Sequence, residues 1–331
     1  MKLDKKYVIG THVMFYEIDM ISEFVRSICN SVEDIENKDN ITIDLFFNMS
    51  EFFEKIDEDK IPKSELILKF LVEVERLKKI GVNVTYEIYK SDELYTIGSY
   101  RRDLNYNNCN KCDFIVWGES DCLVPREFFM ALESISRYSN ENNINRYITT
   151  FATRKMWDDS WSILEHNDFE NCKFYDMKEE GWKTDKSSIW YTMSIDEMNE
   201  INSKADDLDI RISNQPKFDG SLLVISSDLV KAGVNIPHSC YACGEDASFE
   251  MMCKIIMGNS YVQFIVKNIL KVHNRVHPKK REYVVGEQDF ENVKQKRKSN
   301  NRWQQFHKIC EHNLYSLGEN QTKFKTVEDL D

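Results

Sequence analysis

The fold is decided by one stretch of the sequence, Phe114-Ile115-Val116-Trp117-Gly118-Glu119-Ser120-Asp121. An apolar run this short, bounded by polar residues, is typical of a strand buried in a parallel sheet. Ligands of open α/β sheets bind at the carboxyl ends of such strands. Because Ser120 separates Glu119 from Asp121, the two carboxylates can leave the strand end on the same side. Hard oxygen ligands placed there suit Mg²⁺ or Mn²⁺, and the alternative is a solvated acidic turn.

Around this strand, segments with the pattern of a strand alternate with segments that have the periodicity of a helix. The predicted strands before it are 6–10, 41–47 and 82–88, and the predicted helices are 17–31, 64–80 and 98–110. Beyond it the pattern predicts a helix opened by Pro125, strands at 147–150, 221–226 and 261–266, and a helix at 244–257. Such alternation implies βαβ units, so the predicted fold class is α/β, with a Rossmann-like, mainly parallel central sheet flanked by helices.

The length and composition are those of a globular protein. Of the 331 residues, 41% are hydrophobic and 30% are charged. Apolar runs stay short of the roughly 18 to 20 residues that cross a bilayer, and the first residues lack the apolar core of a signal peptide. We therefore expect a cytoplasmic protein. Its predicted organisation is a main domain at 1–278 that contains an insertion at 153–220, followed by a basic helical extension at 279–331.

Nine cysteines, an odd number, argue against a disulfide framework in a chain of this size. Two pairs have the spacing of metal ligands, Cys109-Asn-Lys-Cys112 and Cys240-Tyr-Ala-Cys243. One zinc site shared by the two pairs would need them to be adjacent. The first pair precedes the central strand, whereas the second lies beside a segment expected at the opposite edge of the sheet. Ordinary buried or partly exposed thiols are therefore the favoured interpretation.

The formal net charge of −12 discourages binding to polyanions, but the charge is unevenly spread. From Lys271 to Gln305 there are ten Lys and Arg against four Asp and Glu, a local +6, which leaves −18 on the rest. Cations next to an aromatic ring can neutralise phosphates and stack on a base. The alternatives are a solvated helix face and a patch for acidic lipids. The candidate nucleic-acid contacts are Lys279, Lys280, Arg281, Lys296, Arg297, Lys298, Arg302 and Trp303.

Three further segments carry side chains suited to the ligand expected at the central strand: Arg101 and Arg102, Glu245 and Asp246, and His273 and His277. The paired arginines open a helix, and guanidinium forks match phosphate or carboxylate geometry. The adjacent acids open a later helix, where they either complement the helix dipole or present a general base to a hydroxyl. A neutral imidazole can complete the coordination of a carboxylate-bound divalent metal. Ordinary surface charges are the alternative for each segment.

In their order and spacing, these motifs resemble the metal-dependent nucleotide-sugar glycosyltransferases of the A-type fold (GT-A) over roughly residues 6–277. The resemblance implies that a variant Asp-x-Asp motif holds the metal and the donor, and that the acids at the later helix supply the base. The implied metal ligands are Asp121, Glu119, and His273 with His277 as its substitute. The implied base is Asp246, with Glu245 as the alternative.

The resemblance also implies a donor site. Its residues would be Gly10, Thr11 and His12 after the first strand, Arg101 or Arg102 facing the diphosphate, and Glu119, Ser120 and Asp121. Glu119 replaces the usual first Asp, so contact with ribose or water is the alternative to metal binding. The insertion at 153–220 has no counterpart that we can align with the family, and we place it on the acceptor side.

The implied reaction is the displacement of a nucleoside diphosphate, with a UDP-sugar favoured as donor, by an acceptor hydroxyl. Mn²⁺ or Mg²⁺ would act as the Lewis acid, and a single base suits inversion at the anomeric carbon. The basic segment, and a composition that resembles proteins of large tailed phages, favour a hydroxylated or hydroxymethylated pyrimidine in phage DNA as the acceptor. Such a base would be flipped out of the duplex into a pocket of the enzyme. A phage enzyme of this kind would act in the host cytoplasm. The alternatives are a carbohydrate or protein acceptor, and a noncatalytic nucleic-acid-binding protein with a degenerate fold.

Overall fold

The computed structural model describes residues 1–153, 192–213, 216, 218, 220–240, 243–274, 301–318 and 324–326. Within these residues there are nine strands: β1 Tyr7–Met14, β2 Ile41–Asn48, β3 Asn83–Tyr89, β4 Phe114–Glu119, β5 Cys122–Leu123, β6 Tyr147–Thr153, β7 Ile210–Ser213, β8 Leu223–Ser226 and β9 Val262–His273. The α-helices in the same residues are α1 Ile21–Ser31, α2 Lys63–Lys79, α3 Ile97–Asn108, α4 Phe128–Glu141, α5 Ile195–Asn202, α6 Ser227–Lys231, α7 Glu245–Met257 and α8 Asn301–Gly318.

The strands form one sheet in the order β3-β2-β1-β4-β8-β6-β9-β5, with β7 added on β9. The strands β3, β2, β1 and β4 are parallel, and β8 is antiparallel to both β4 and β6. Since β6 and β9 are parallel to each other, these two strands again run in the direction of β4. The predicted α/β class, with a mainly parallel central sheet flanked by helices, is confirmed.

The central strand β4 is buried on both faces, as its unbroken apolar run predicts. Val116 packs in the core that includes side chains of α1, α2 and α4. Ile115 and Trp117 point to the other face and pack with α3, α6 and α7. Alternate side chains therefore pack against the two helical layers, and the polar residues that follow Gly118 lie at the carboxyl end of the strand.

The first strand is longer than predicted. The expected end at Gly10 is wrong, because the backbone stays paired on both sides up to His12 with β4 and up to Met14 with β2. Gly10, Thr11 and His12 therefore lie inside β1 rather than in a loop after it. A Cβ at Gly10 would lie 2.3 Å from a methyl carbon of Leu104, so glycine allows α3 to approach this strand closely.

Strand β9 is also longer than predicted and connects several parts of the molecule. It pairs with β6, β7 and β5, and α5 packs against it. The helix α5 and the strand β7 both fall inside the predicted insertion, and both contact this strand. The extra length of β9 carries His273 to the end of β4. None of the described helices combines the length and hydropathy needed to cross a bilayer.

Candidate active site

Two carboxylates and an imidazole meet where β4 ends. After Glu119 the chain turns and enters β5, whose Cys122 pairs with His273 at the end of β9. The Nε2 atom of His273 lies 2.8 Å from Oε2 of Glu119 and 3.4 Å from Oδ1 of Asp121. The backbone amide of Asn274 donates to the carbonyl of Asp121 over 2.7 Å and fixes this turn against β9. Sheet pairing thus joins residues that lie far apart in the sequence.

These three side chains fit a divalent metal ion. One ligand atom from each of Glu119, Asp121 and His273 lies within 4.8 Å of the others. Ligand bonds of about 2.0–2.1 Å to Mg²⁺ place neighbouring ligand atoms roughly 3 Å apart, so small movements would suffice. Carboxylate oxygens with one imidazole are a donor set that suits Mn²⁺ or Mg²⁺. Asp121 and His273 are both buried, which limits competition from water.

Arg101 lies between this cluster and the acids of α7. Its Nη2 donates to Oε1 of Glu119 and its Nη1 to Oε1 of Glu245, each over 2.7 Å. Nη2 also donates to the carbonyl of Gly220 over 2.9 Å. The guanidinium stacks over Trp117, with 4.9 Å from Cζ to the ring centroid, and only 1% of the side chain is exposed. Protein groups therefore contact both terminal nitrogens and one face of the guanidinium.

Neighbouring charges shift the pKa values of the two glutamates that contact Arg101. Burial disfavours the charged form of Glu119, but His273 and Arg101 outweigh this effect and hold its pKa well below the usual range. Burial and the neighbouring Asp246 raise the pKa of Glu245 to about 7, against the opposing effect of Arg101. The two carboxylates that share one guanidinium therefore have pKa values shifted in opposite directions.

The predicted acids open α7 as expected. Gly244 precedes them with φ of 75°, a left-handed conformation that favours glycine. Asp246 accepts from the backbone amide of Gly220 over 3.3 Å and from that of Ala247 over 2.8 Å. Glu245 instead points to the guanidinium described above. Adjacent residues thus have different partners, one a cation and the other backbone amides.

The segment predicted to meet the nucleobase is buried. The ring of His12 stacks on Phe46 at 5.6 Å, and its Nε2 accepts from Nδ2 of Asn48 over 3.1 Å. The same amide group donates to the carbonyl of Tyr95 over 2.8 Å. Burial lowers the pKa of His12 to about 3. The buried hydroxyl of Thr11 has no hydrogen-bond partner among the described residues.

Other predicted residues have partners outside the cluster. Nη1 of Arg102 donates to the carbonyl of Pro237 over 3.2 Å, so this arginine points away from Glu119. The hydroxyl of Ser120 donates to Oε2 of Glu17 over 3.0 Å. Several predictions fall outside the described residues: His277, Lys279, Lys280, Arg281, Lys296, Arg297 and Lys298. Arg302 and Trp303 lie in α8, but their side chains are outside the described part of the chain.

Two residues at the site have no counterpart in the sequence predictions. A Cβ at Gly220 would lie 2.5 Å from Nη1 of Arg101, so only glycine leaves room for the guanidinium. Lys271 is buried, and its ammonium donates to the carbonyl of Ser221. It lies two residues before His273 on the same strand, hence on the same face. Lys271 and His273 alternate with apolar residues at the end of a strand, a pattern that places both side chains on one face and could have indicated Lys271. Nothing in the sequence marks Gly220.

No family model and no curated protein sequence matches the chain. Solved structures to which it is similar include TarS 1-349 of S. aureus, with 9% identity over 81% of this chain and 60% of that one, and a TM-score of 0.45. GalNAc-T7 with UDP, GalNAc and Mn²⁺ shows 14% identity over 81% and 43%, and a TM-score of 0.42. The galactosyltransferase LgtC with donor and acceptor sugar analogues shows 11% identity over 68% and 59%, and a TM-score of 0.31. The chain thus spans three fifths or less of these structures.

Proposed function

We propose that the chain is a metal-dependent glycosyltransferase that moves a sugar from a nucleoside diphosphate sugar, with UDP-sugars favoured, to an acceptor hydroxyl. One observation carries the proposal: the cluster of Glu119, Asp121 and His273 is joined through Arg101 to the acids that open α7. Displacement of a diphosphate needs cationic charge at the leaving group and a base at the attacking hydroxyl. In this proposal the cluster would hold the cation and the acids that open α7 would supply the base.

The cluster at the end of β4 would bind the metal and the donor. Asp121 and His273 would hold Mn²⁺ or Mg²⁺, and Glu119 would add the one oxygen that Arg101 does not engage. When bound, the metal neutralises the charge that develops on the leaving diphosphate. Arg101 keeps Glu119 charged and oriented, and the hydrogen bond from the backbone amide of Asn274 fixes the turn that carries Asp121.

The acids at the start of α7 would serve the acceptor. Glu245 is engaged by Arg101, which stabilises its charge and restricts its orientation. Asp246 accepts only from backbone amides in the contacts described, so its carboxylate can take the proton of the attacking hydroxyl. A single base on one side of the sugar favours displacement with inversion.

For the acceptor, we propose the hydroxyl of a hydroxylated or hydroxymethylated pyrimidine in phage DNA. The support is the basic segment of the sequence with its neighbouring Trp303, together with the tryptophan-rich insertion. An oligosaccharide and a peptide hydroxyl are the competing acceptors, and a noncatalytic binding protein is the competing function.

A thermal-shift screen of nucleotide sugars with and without Mn²⁺ tests the donor. We expect one of them to raise the melting temperature only with metal, because a ligand that binds the native state stabilises it by mass action. Asp121→Asn should lose this shift, whereas Asp113→Asn, which changes an acid at the opposite end of β4, should keep it. No shift with any nucleotide sugar in the presence of metal would refute the proposal.

Mass spectrometry of the acceptor then decides what is modified. The purified chain is given the donor from the screen and, in separate reactions, hydroxymethylated DNA, an oligosaccharide and a peptide. A mass increase of one sugar on the DNA alone supports the proposed acceptor. Transfer to either of the others reassigns it, and DNA binding without turnover of any donor supports the noncatalytic alternative.

A further inference from the structure

The chain turns at Gly220, Ser221 and Leu222, immediately before β8. We call these three residues the β8 turn. Because β8 is antiparallel to β4, its first residue, Leu223, pairs with Trp117 near the end of β4. The β8 turn therefore lies at the carboxyl end of β4, the same end that carries the candidate metal cluster.

Two of the side chains in the candidate active site contact the first residue of the β8 turn. The carbonyl of Gly220 accepts from Nη2 of Arg101 over 2.9 Å, and its amide donates to Oδ2 of Asp246 over 3.3 Å. A Cβ at Gly220 would lie 2.5 Å from Nη1 of Arg101 and 3.4 Å from Cβ of Asp246, so the backbone lies close against both side chains. A shift of the β8 turn would therefore move the partners of both.

The backbone of the β8 turn has a conformation that its own residues do not favour. Leu222 has φ of 50°, in the left-handed region, which is uncommon for residues other than glycine. Such a conformation persists only where the surrounding structure enforces it. The side chain of Leu222 is fully buried in the core. The contacts of the β8 turn, rather than its local preference, therefore keep it in place.

Lys271 contacts the middle of the β8 turn. Its ammonium donates to the carbonyl of Ser221, and each of these residues is only 1% exposed. A hydrogen bond from a charged donor is stronger than one between neutral groups, and burial strengthens it further. Lys271 lies two residues before His273 on β9. The end of one strand thus carries a candidate metal ligand and a contact to the β8 turn.

We propose that Lys271 is a positioning residue for the transfer reaction. Through the carbonyl of Ser221 it holds the β8 turn, and the β8 turn in its place holds Asp246 and Arg101. This inference rests on the proposed transferase function, in which Asp246 takes the proton of the acceptor hydroxyl. A base must lie within hydrogen-bond reach of that proton, and a misplacement of about 1 Å can cost roughly a hundredfold in rate.

A direct contact with the donor diphosphate is the competing role for Lys271, because a lysine ammonium is a common ligand of phosphate. The burial of the side chain and its hydrogen bond to Ser221 favour the positioning role. A contact with the diphosphate would require the ammonium to give up this buried hydrogen bond. The two roles differ in their effects, because a phosphate ligand contributes to donor affinity, whereas a positioning residue contributes to the rate of transfer.

The first measurement follows the β8 turn itself and needs no substrate. Labelling of the full chain with ¹⁵N-glycine gives the amide signals of eleven glycines, and the signal that is lost in Gly220→Ala is that of Gly220. Hydrogen exchange at this amide should be about tenfold faster or more in Lys271→Met, because its bond to Asp246 then opens more often. Lys271→Arg, which restores a charged donor, should slow the exchange again.

Lys267→Met is the matched control, because Lys267 is a half-buried lysine of the same strand, and exchange at Gly220 should stay at the wild-type rate in this variant. Urea denaturation of every variant shows whether the chain is folded. If Lys271→Met does not fold, Lys271→Gln replaces it, because glutamine removes the charge and keeps a polar side chain.

The second measurement separates donor affinity from rate. UDP with Mn²⁺ is the probe of the donor site in isothermal titration calorimetry, and its affinity in Lys271→Met should stay within about twofold of the wild type. Steady-state kinetics then use the donor and acceptor identified by the screen and the mass spectrometry. The kcat of Lys271→Met should fall about tenfold or more with little change in the donor KM, and Lys271→Arg should recover part of it.

Three outcomes would overturn the proposal. Unchanged exchange at Gly220 in Lys271→Met would show that the lysine does not hold the β8 turn. A large loss of UDP affinity would assign it to the diphosphate, and an unchanged kcat would leave it a structural role alone. The exchange measurement uses no donor, so it can fail while the wild type transfers sugar. It can also succeed where no nucleotide sugar binds, an outcome that refutes the proposed function and leaves the contact between Lys271 and the β8 turn established.

Discussion

Nη2 of Arg101 donates to Oε1 of Glu119 over 2.7 Å, and this ion pair connects α3 to the end of β4 inside the protein. The other terminal nitrogen makes an equally short contact with Glu245. One guanidinium therefore joins the candidate metal ligands to the acids of α7. A cation that is 1% exposed depends on its partners, and its partners depend on it, because each charge would otherwise be buried alone.

Removal of the cation should destabilise the fold. Arg101→Met leaves two partly buried carboxylates facing each other, and we expect a loss of about 3–5 kcal/mol in the free energy of unfolding. Arg102→Met is the control, because that half-buried neighbour donates to the carbonyl of Pro237 and pairs with no carboxylate in the contacts described, so its loss should cost far less. Urea denaturation measures both. Equal stabilities for the two variants would contradict the role of the buried ion pair.

Gly220→Ala should disturb the same guanidinium without removing it. The added Cβ would lie 2.5 Å from Nη1, and Arg101 cannot move aside easily because two carboxylates hold it. Gly98→Ala is the matched control, since its Cβ would meet its neighbours at 3.5 to 3.7 Å, ordinary contact distances. Donor turnover should fall at least tenfold in the first variant only, corresponding to about 1.4 kcal/mol or more. Unchanged turnover in Gly220→Ala would show that the mechanism does not depend on the exact position of Arg101.

The imidazole at the end of β9 should contribute directly to metal affinity. His273→Ala removes the group that lies 2.8 Å from Glu119 and 3.4 Å from Asp121. Loss of a group that merely supports a metal ligand weakens metal binding roughly ten- to hundredfold. We expect the loss of His273 to weaken Mn²⁺ binding by at least as much. Isothermal titration calorimetry measures it, with the exposed His238→Ala as control. Equal Mn²⁺ affinities in the two variants would exclude His273 as a ligand.

The sequence predicts those parts of the site that depend on local pattern. The apolar run of β4 and the acids that follow it are found as expected, and so is the helix start at Glu245. Predictions fail where tertiary pairing decides. β1 continues past Gly10 because β2 and β4 pair with it on both sides, and Arg101 faces carboxylates because the fold brings Glu245 to it.

The cysteines illustrate the same limit. Cys240 and Cys243 have a recognisable spacing, but the imidazole that Cys243 contacts is that of His307, on a helix far along the chain. The sequence disfavours a zinc site shared by the two C-x-x-C segments, because it places them at opposite edges of the sheet, and in the structure Cys112 lies just before β4, beside Ser227. Only the packing of α8 brings His307 to Cys243.

Stability should fall in mild acid because of His12. Burial lowers its folded-state pKa to about 3, below the ordinary value of 6.5. Between these two pKa values the unfolded chain binds more protons than the folded protein. The contribution of neutral His12 to the free energy of unfolding is therefore complete above pH 6.5. It is lost as the pH falls, by about 1.4 kcal/mol per pH unit. His12→Phe, which keeps the stacking on Phe46, should flatten the dependence of the urea midpoint between pH 7 and 5. An unchanged pH dependence of the urea midpoint would mean that protonation of His12 does not destabilise the folded protein. His238→Gln is the control, because it replaces an exposed histidine.

Substitutions at the two acids that open α7 should affect catalysis differently. Asp246→Asn removes the proposed base and keeps one of the two backbone contacts, because an amide has a single accepting oxygen, so transfer should fall by about 10²–10⁴ while metal-dependent donor binding persists. Glu245→Gln weakens the contact with Arg101, so it should lower stability as well as transfer. Glu250→Gln, an acid on the same helix paired with Lys254, is the control for charge alone. Steady-state kinetics and urea denaturation together distinguish the roles. If transfer in Asp246→Asn stays near the wild type while Glu245→Gln loses it at intact stability, the base is Glu245, and Arg101 serves to hold it.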